Sequence, residues 1–146
     1  MVIMSKFAET LSGLMLEREL NAPALAKILK TDRSNITRYL RGERLPSFGG
    51  FVAMVEYFGV SADMLLGLVD YAEHRTFLPV CKFGERLRSV MTETHVTQYQ
   101  IEKHLGISGS CVYSWLFNKS LPSVENVAKL AAFLDVSVDY LLGRVR

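Results

Sequence analysis

The 146-residue chain is poor in several features that mark common protein classes. It has two cysteines, Cys81 and Cys111, too few for a disulfide framework, so reduced thiols in a cytoplasmic protein are expected. It has four prolines and no low-complexity stretch, so disorder is not the expected state. No apolar run approaches the roughly 18 residues that a membrane span requires. The longest charge-free apolar stretch, 45–55, is broken by Pro46, Gly49 and Gly50. Residues 1–6 lack a basic segment followed by an apolar one, so no secretory signal is expected. There is no glycine-rich phosphate loop, paired-carboxylate signature or serine-nucleophile elbow. His74, His95, His104, Cys81 and Cys111 have no zinc-ligand spacing. His104 and Cys111 without a third orienting group do not make a catalytic site. The expectation is a non-enzyme with no cofactor and no metal.

What the chain does have is apolar material and a repeat. Apolar residues make up 49% and charged residues 22%, enough to build a core. The net charge of +2 is a weak pointer to a polyanion, so its distribution matters more. Residues 1–76 carry nine Lys/Arg and nine Asp/Glu, whereas residues 77–146 carry eight and six. Within 33–44, four arginines face one acid, Glu43, which makes the one dense basic cluster of the chain.

A shift of 76 residues aligns 6–70 with 82–146 without a gap, and 20 of the 65 positions are identical. The strongest blocks are Leu45-Pro46-Ser47 with Leu121-Pro122-Ser123, and Leu65-Leu66-Gly67 with Leu141-Leu142-Gly143. Val60-Ser61-x-Asp63 likewise matches Val136-Ser137-x-Asp139. Two copies point to two domains, 1–68 and 81–146, joined by a connector over 69–80.

Each copy reads as five helices. Phe7, Leu11, Leu14 and Met15 form a helical apolar stripe, repeated by Phe83, Leu87, Val90 and Met91. The second helix starts after Asn21 or Thr97, and Thr97-x-x-Gln100 has the form of a capping box. Pro23 falls in the first turn, where a missing N–H costs nothing. The third helix follows Asp32 or Ser108 and ends at Gly42 or Asn118, both residues that tolerate the left-handed conformation. The fourth starts at Ser47 or Ser123, with Phe51, Val55 and Phe58 or Val127, Ala131 and Leu134 on its inner face. The fifth is short and capped by Ser61 or Ser137, with Asp63 or Asp139 favourable to the helix dipole.

Two short helices joined by a tight turn, at 22–41 and 98–117, form the helix-turn-helix pattern. The motifs are Thr97-Gln98 with Leu105-Gly106-Ile107-Ser108 in the second copy and Ile36-Thr37-Arg38-Tyr39 with Arg41-Gly42 in the first. Leu-Pro-Ser, Val-Ser-x-Asp and Leu-Leu-Gly occur in both. With these motifs both copies resemble the phage-repressor and Cro-like (XRE-type) helix-turn-helix domains. The resemblance implies an all-α chain of two tandem five-helix lambda-repressor-like domains that bind double-stranded DNA. It implies a third helix in the major groove, with its first residues at base edges. The base-facing positions are then Arg33, Ser34, Thr37 and Arg38 in the first copy. In the second copy they are Gly109, Ser110, Tyr113 and Ser114. Arginine suits this role because its guanidinium can bond guanine O6 and N7 together. Lys27, Arg41, Arg44, Gln98 and Lys119 take phosphate-contacting positions, which hold register without reading sequence.

Phe117 replaces Arg41, so the second copy departs from the pattern. Tyr113 and Phe117 lie on one helix face while Trp115 points elsewhere, toward its own core, as Tyr39 does in the first copy. The exposed pair suits either a DNA or a protein surface. His104 aligns with Ile28 and is expected to be partly buried. The leading expectation is a sequence-specific transcriptional regulator. A connector of about 12 residues spans up to roughly 40 Å, enough for one chain to place two recognition helices one DNA turn apart. Alternatively the second copy dimerises and two first copies of a homodimer read a palindrome. The rival is a protein-interaction module, antirepressor or antitoxin-like, that keeps the fold without the DNA surface.

Overall fold

The apolar spacings become ten helices, with no strand among the described residues, 2–70 and 76–146, of this computed structural model. The chain divides into two compact units, Met1–Thr76 and Phe77–Arg146. This boundary falls within the 69–80 stretch expected as connector. Residues 71–75 of that stretch, His74 among them, lie outside the described residues. From Phe77 onward the chain is bound to the second unit: Leu78 N donates to Arg144 O at 2.8 Å, and Cys81 N to Leu142 O at 3.4 Å.

The first unit contains α1 (Val2–Glu17), α2 (Ala22–Leu29), α3 (Arg33–Leu40), α4 (Phe48–Phe58) and α5 (Ala62–Leu65). Its core is built from Phe7, Leu11 and Met15 of α1, Leu25 of α2, Ile36 and Tyr39 of α3, and Phe51, Met54, Val55 and Phe58 of α4. Leu65 at the end of α5 and the following Leu66 complete it. The α3 helix packs on α1 and α2, and the Phe7 and Tyr39 rings meet edge to face at 6.1 Å. That packing fixes which face of α3 is turned outward.

The second unit contains α6 (Phe83–Thr94), α7 (Gln98–Leu105), α8 (Gly109–Leu116), α9 (Val124–Leu134) and α10 (Val138–Leu141). Phe83, Leu87, Val90, Ile101, Val112, Trp115, Leu116, Val127, Leu130, Leu134, Leu141 and Leu142 are buried. The α8 helix packs on α6 and α7.

Hydroxyl and amide caps set most helix starts. Asn21 Oδ1 accepts from Ala24 N at 2.9 Å, and Ser47, Ser61, Ser108, Ser123 and Ser137 accept likewise three residues on. The Thr97–Gln100 capping box forms in both directions, at 3.2 and 2.8 Å. Asp32 differs from expectation: it holds the N-cap position of α3, but its side chain makes no capping bond. Helix ends repeat too. The left-handed residues Glu19, Lys30, Gly42, Gly59 and Gly67 of the first unit have counterparts 76 positions on, at His95, Gly106, Asn118, Asp135 and Gly143.

Asp63 and Asp139 do more than favour a dipole, because both are buried. Asp139 Oδ1 accepts from Arg144 Nη1 at 2.6 Å, and the Arg144 side chain is only 2% exposed. The Arg144 guanidinium also lies 4.2 Å from the Phe77 ring centroid, clasping the entering chain. Asn118 Oδ1 accepts from Gly84 N at 2.9 Å. This bond supplies the first turn of α6 with an acceptor that its N-cap, Lys82, does not provide. A Cβ on Gly84 would sit 2.6 Å from the carbonyl oxygens of Trp115 and Leu116, so only glycine permits α6 to approach α8 this closely.

Candidate nucleic-acid interface

The helix pair of the first unit is held rigid by its turn. After α2, Lys30 adopts φ +57°, and Thr31 N donates back to Ala26 O at 2.9 Å. Ile36 and Tyr39 then anchor α3 in the core. Helical geometry turns the remaining positions outward: Arg33, Ser34, Arg38 and Arg41 are exposed, as is Arg44 in the loop beyond. Lys27 is exposed on α2. Thr37 is half-buried, and its hydroxyl donates to Arg33 O at 3.0 Å, leaving the oxygen as an acceptor.

Sequence reasoning missed the brace beneath this surface. Arg44 Nη1 donates to Asn35 Oδ1 at 3.3 Å, and Asn35 Nδ2 donates to Thr31 Oγ1 at 2.9 Å. This chain ties the loop after α3 to the turn before it. Burial pushes the Tyr39 phenol above its ordinary value, with Arg44 acting in the opposite direction. Among the described residues, none of the four arginines has a carboxylate at salt-bridge distance.

The second unit builds the same frame with other chemistry on it. Gln98 is half-buried, and its Nε2 donates to Gly109 O at 3.2 Å, tying the start of α7 to the start of α8. One amide hydrogen of Gln98 is therefore engaged within the unit. Ser110 is exposed, with its Oγ 3.2 Å from Ser108 Oγ, and Ser114 is half-buried. Trp115 is buried, as its spacing predicts. Tyr113 and Phe117 are exposed side by side, ring centroids 4.6 Å apart. Exposed Lys119 places its Nζ 5.1 Å from the Tyr113 centroid, and the Arg88 guanidinium lies 5.3 Å from that of Phe117.

Gly109 stands where the first unit has Arg33, and Glu102 of α7 reaches toward it. A Cβ there would come within 2.7 Å of Glu102 Oε1. Glu102 aligns with Ala26, so a long and a short residue have changed places between the two helices. The carboxylate sits at the N-terminus of α8, where a negative charge suits the dipole.

His104 corrects an expectation: it is exposed, stacked on Phe133 at 4.1 Å. Among the described residues, no group of three or more His, Cys, Asp or Glu side chains could hold a metal. No helix among them is long and apolar enough to cross a membrane.

Comparison with known proteins finds one family match and two curated relatives. A Helix-turn-helix family model matches residues 87–141. The cryptic phage CTXphi transcriptional repressor RstR of Vibrio cholerae serotype O1 is 35% identical over 63 residues, covering 43% of this chain and 56% of that protein. The HTH-type transcriptional activator BcrR of Enterococcus faecalis is 30% identical over 62 residues, covering 42% of this chain and 30% of that protein. The match thus spans about half of one relative's length and less than a third of the other's. No solved structure matches the chain at a comparable level. Residues 87–141 therefore match a helix-turn-helix domain, and the chain has similarity to transcriptional regulators.

Proposed function

We propose that this chain is a sequence-specific double-stranded DNA-binding regulator in which α3 of the first unit enters the major groove. The carrying observation is the outward face of α3 and its loop. Arg33, Arg38, Arg41 and Arg44 are exposed together, with no carboxylate at salt-bridge distance among the described residues. A buried apolar face on the same helix, set by Ile36 and Tyr39, supports presentation of these cations in one fixed geometry. The first unit, in this reading, is a second copy of the domain matched in the second. The recurrence of all five left-handed positions at an offset of 76 supports that view. In this reading Arg38 reads a base edge, whereas Arg41 and Arg44 hold phosphates.

The test is a pair of substitutions on a duplex selected from a random library. Arg38→Ala should relax preference at one base pair, at roughly 1–3 kcal/mol. Arg41→Ala should weaken all duplexes alike and reduce the salt slope by about one. If neither variant changes binding, the assignment of α3 fails.

A second reading has its own observation. Glu102 occupies the N-terminus of α8, and the helix carries an exposed aromatic pair where the first unit has Thr37 and Arg41. These features favour a protein contact, such as a homodimer, through the second unit. A mass measurement of the DNA complex separates the two: one chain per site, or two.

A further inference from the structure

We propose that the groove between α1 and α5 of the first unit is a binding site for a small phenolic molecule, held by donation of its hydroxyl to the Glu17 carboxylate. A cavity of about 510 Å³ opens here, lined by Thr10, Gly13, Leu14 and Glu17 of α1, Phe58 at the end of α4 and Met64 of α5. That volume falls in the range of small-molecule sites, and the mixture of apolar walls with few polar groups is typical of them. Among the described residues its lining includes none from α3, so the site goes beyond the DNA-binding reading and does not depend on it.

The second unit selects the ligand chemistry. There α10 packs on α6 as α5 packs on α1. A shift of 76 places Arg86, Glu93 and Tyr140 at the positions of Thr10, Glu17 and Met64. Those three side chains meet one another. The Tyr140 hydroxyl donates to Glu93 Oε2 at 2.5 Å, and Arg86 Nε donates to Tyr140 O at 2.9 Å. The Arg86 guanidinium lies 4.3 Å from the Tyr140 ring centroid. The first unit keeps the carboxylate but has neither the phenol nor the guanidinium. Its Thr10 hydroxyl turns back to its own helix, donating to Lys6 O at 3.0 Å. Glu17 has no hydrogen bond or ion pair among the described residues. Neighbouring Arg18 is committed to the end of α4, where its Nη2 donates to Phe58 O at 2.9 Å. An ionised carboxylate only accepts, so an occupant must bring the donor, as Tyr140 does for Glu93. Gly13 widens the opening. A Cβ there would meet nothing within 4 Å, so packing does not require glycine, which weakens a helix interior.

The experiment titrates the full chain, isotope-labelled for NMR, with p-cresol, the tyrosine side chain as a free molecule. Backbone amides of Gly13 and Gly59 should shift. Those of the aligned Ser89 and Asp135 should not, because Tyr140 already fills the second groove. The methyl ether of p-cresol keeps the ring and loses the donor. It should bind about tenfold more weakly, the worth of one hydrogen bond to a charged group. Glu17→Ala should erase the advantage of p-cresol over the ether. Glu17 is exposed, so circular dichroism should report unchanged folding. Thr10→Arg combined with Met64→Tyr rebuilds the filling of the second unit and should abolish binding. Absence of shifts at Gly13 and Gly59 overturns the inference. Equal binding of p-cresol and its ether, or an advantage that survives Glu17→Ala, also overturns it, since the groove would then hold apolar matter without using the carboxylate. A dimer in sedimentation that the paired substitution disrupts overturns it in favour of a second copy of the chain as the occupant. The titration contains no DNA, so each of these failures leaves the reading of α3 standing.

Discussion

Truncating Asp139 to alanine should destabilise the second unit by about 3–5 kcal/mol, far more than loss of any surface charge. The magnitude follows from burial. Asp139 and Arg144 meet at 2.6 Å with side chains 6% and 2% exposed, so neither charge keeps its hydration. Desolvation is offset only while both partners are present, and Asp139→Ala leaves a guanidinium in the interior without its carboxylate. The damage should spread, because Arg144 also holds Phe77 through its guanidinium and Leu78 through its carbonyl. The unit supplies its own control: Glu125 and Lys129 pair at 3.3 Å on the exposed side of α9, and Lys129→Ala should cost at most about 0.5 kcal/mol. Trp115 is the single tryptophan, 2% exposed, so its fluorescence reports unfolding of this unit alone. With a urea slope of about 1–2 kcal/mol/M, the Asp139→Ala midpoint should fall by roughly 1.5 M or more. Equal, small shifts for Asp139→Ala and Lys129→Ala would refute the reasoning.

Two further outcomes concern the first unit. Lys30 stands at φ +57°, where the second unit has Gly106, so Lys30→Gly should stabilise by about 0.5–1 kcal/mol and raise Tm by a few degrees. A lowered Tm would show that the lysine side chain is needed there. The Tyr39 phenol is pushed above its ordinary value of about 10, so the folded chain holds this proton more tightly than the unfolded one. Its contribution to stability is then complete below pH 10 and is lost as pH rises through the folded value. Tyr39→Phe should flatten the fall in urea midpoint above pH 10, followed by circular dichroism; an unchanged pH slope would contradict the assignment.

Local chemistry explains what could be read from the sequence. Caps such as Asn21, Ser108 and Thr97 act within three residues, so their spacing reveals the helix starts. Apolar periodicity separates the inward Tyr39 and Trp115 from the outward Arg38 and Tyr113. The remainder depended on contacts between distant or dissimilar positions. Arg144 aligns with the apolar Leu68, so nothing in the repeat marked it as the partner of Asp139. Asn118 reads as a helix terminator, yet it also caps α6 thirty-four residues upstream. The Glu102 carboxylate meets Gly109 from the preceding helix, a contact between positions seven residues apart. His104 misled because its counterpart, Ile28, is apolar but is itself 40% exposed.

Binding to random-sequence duplex as a function of salt concentration tests most directly whether the cations around α3 in the first unit, and those around α8 in the second, meet phosphate. Lys27, Arg41, Arg44 and Lys119 are the four candidates, and each neutralised phosphate contributes about −0.9 to the slope of log K against log salt. The predicted slope is therefore about −3 to −4 for the intact chain. A slope near zero, or no binding at low salt, would contradict the account.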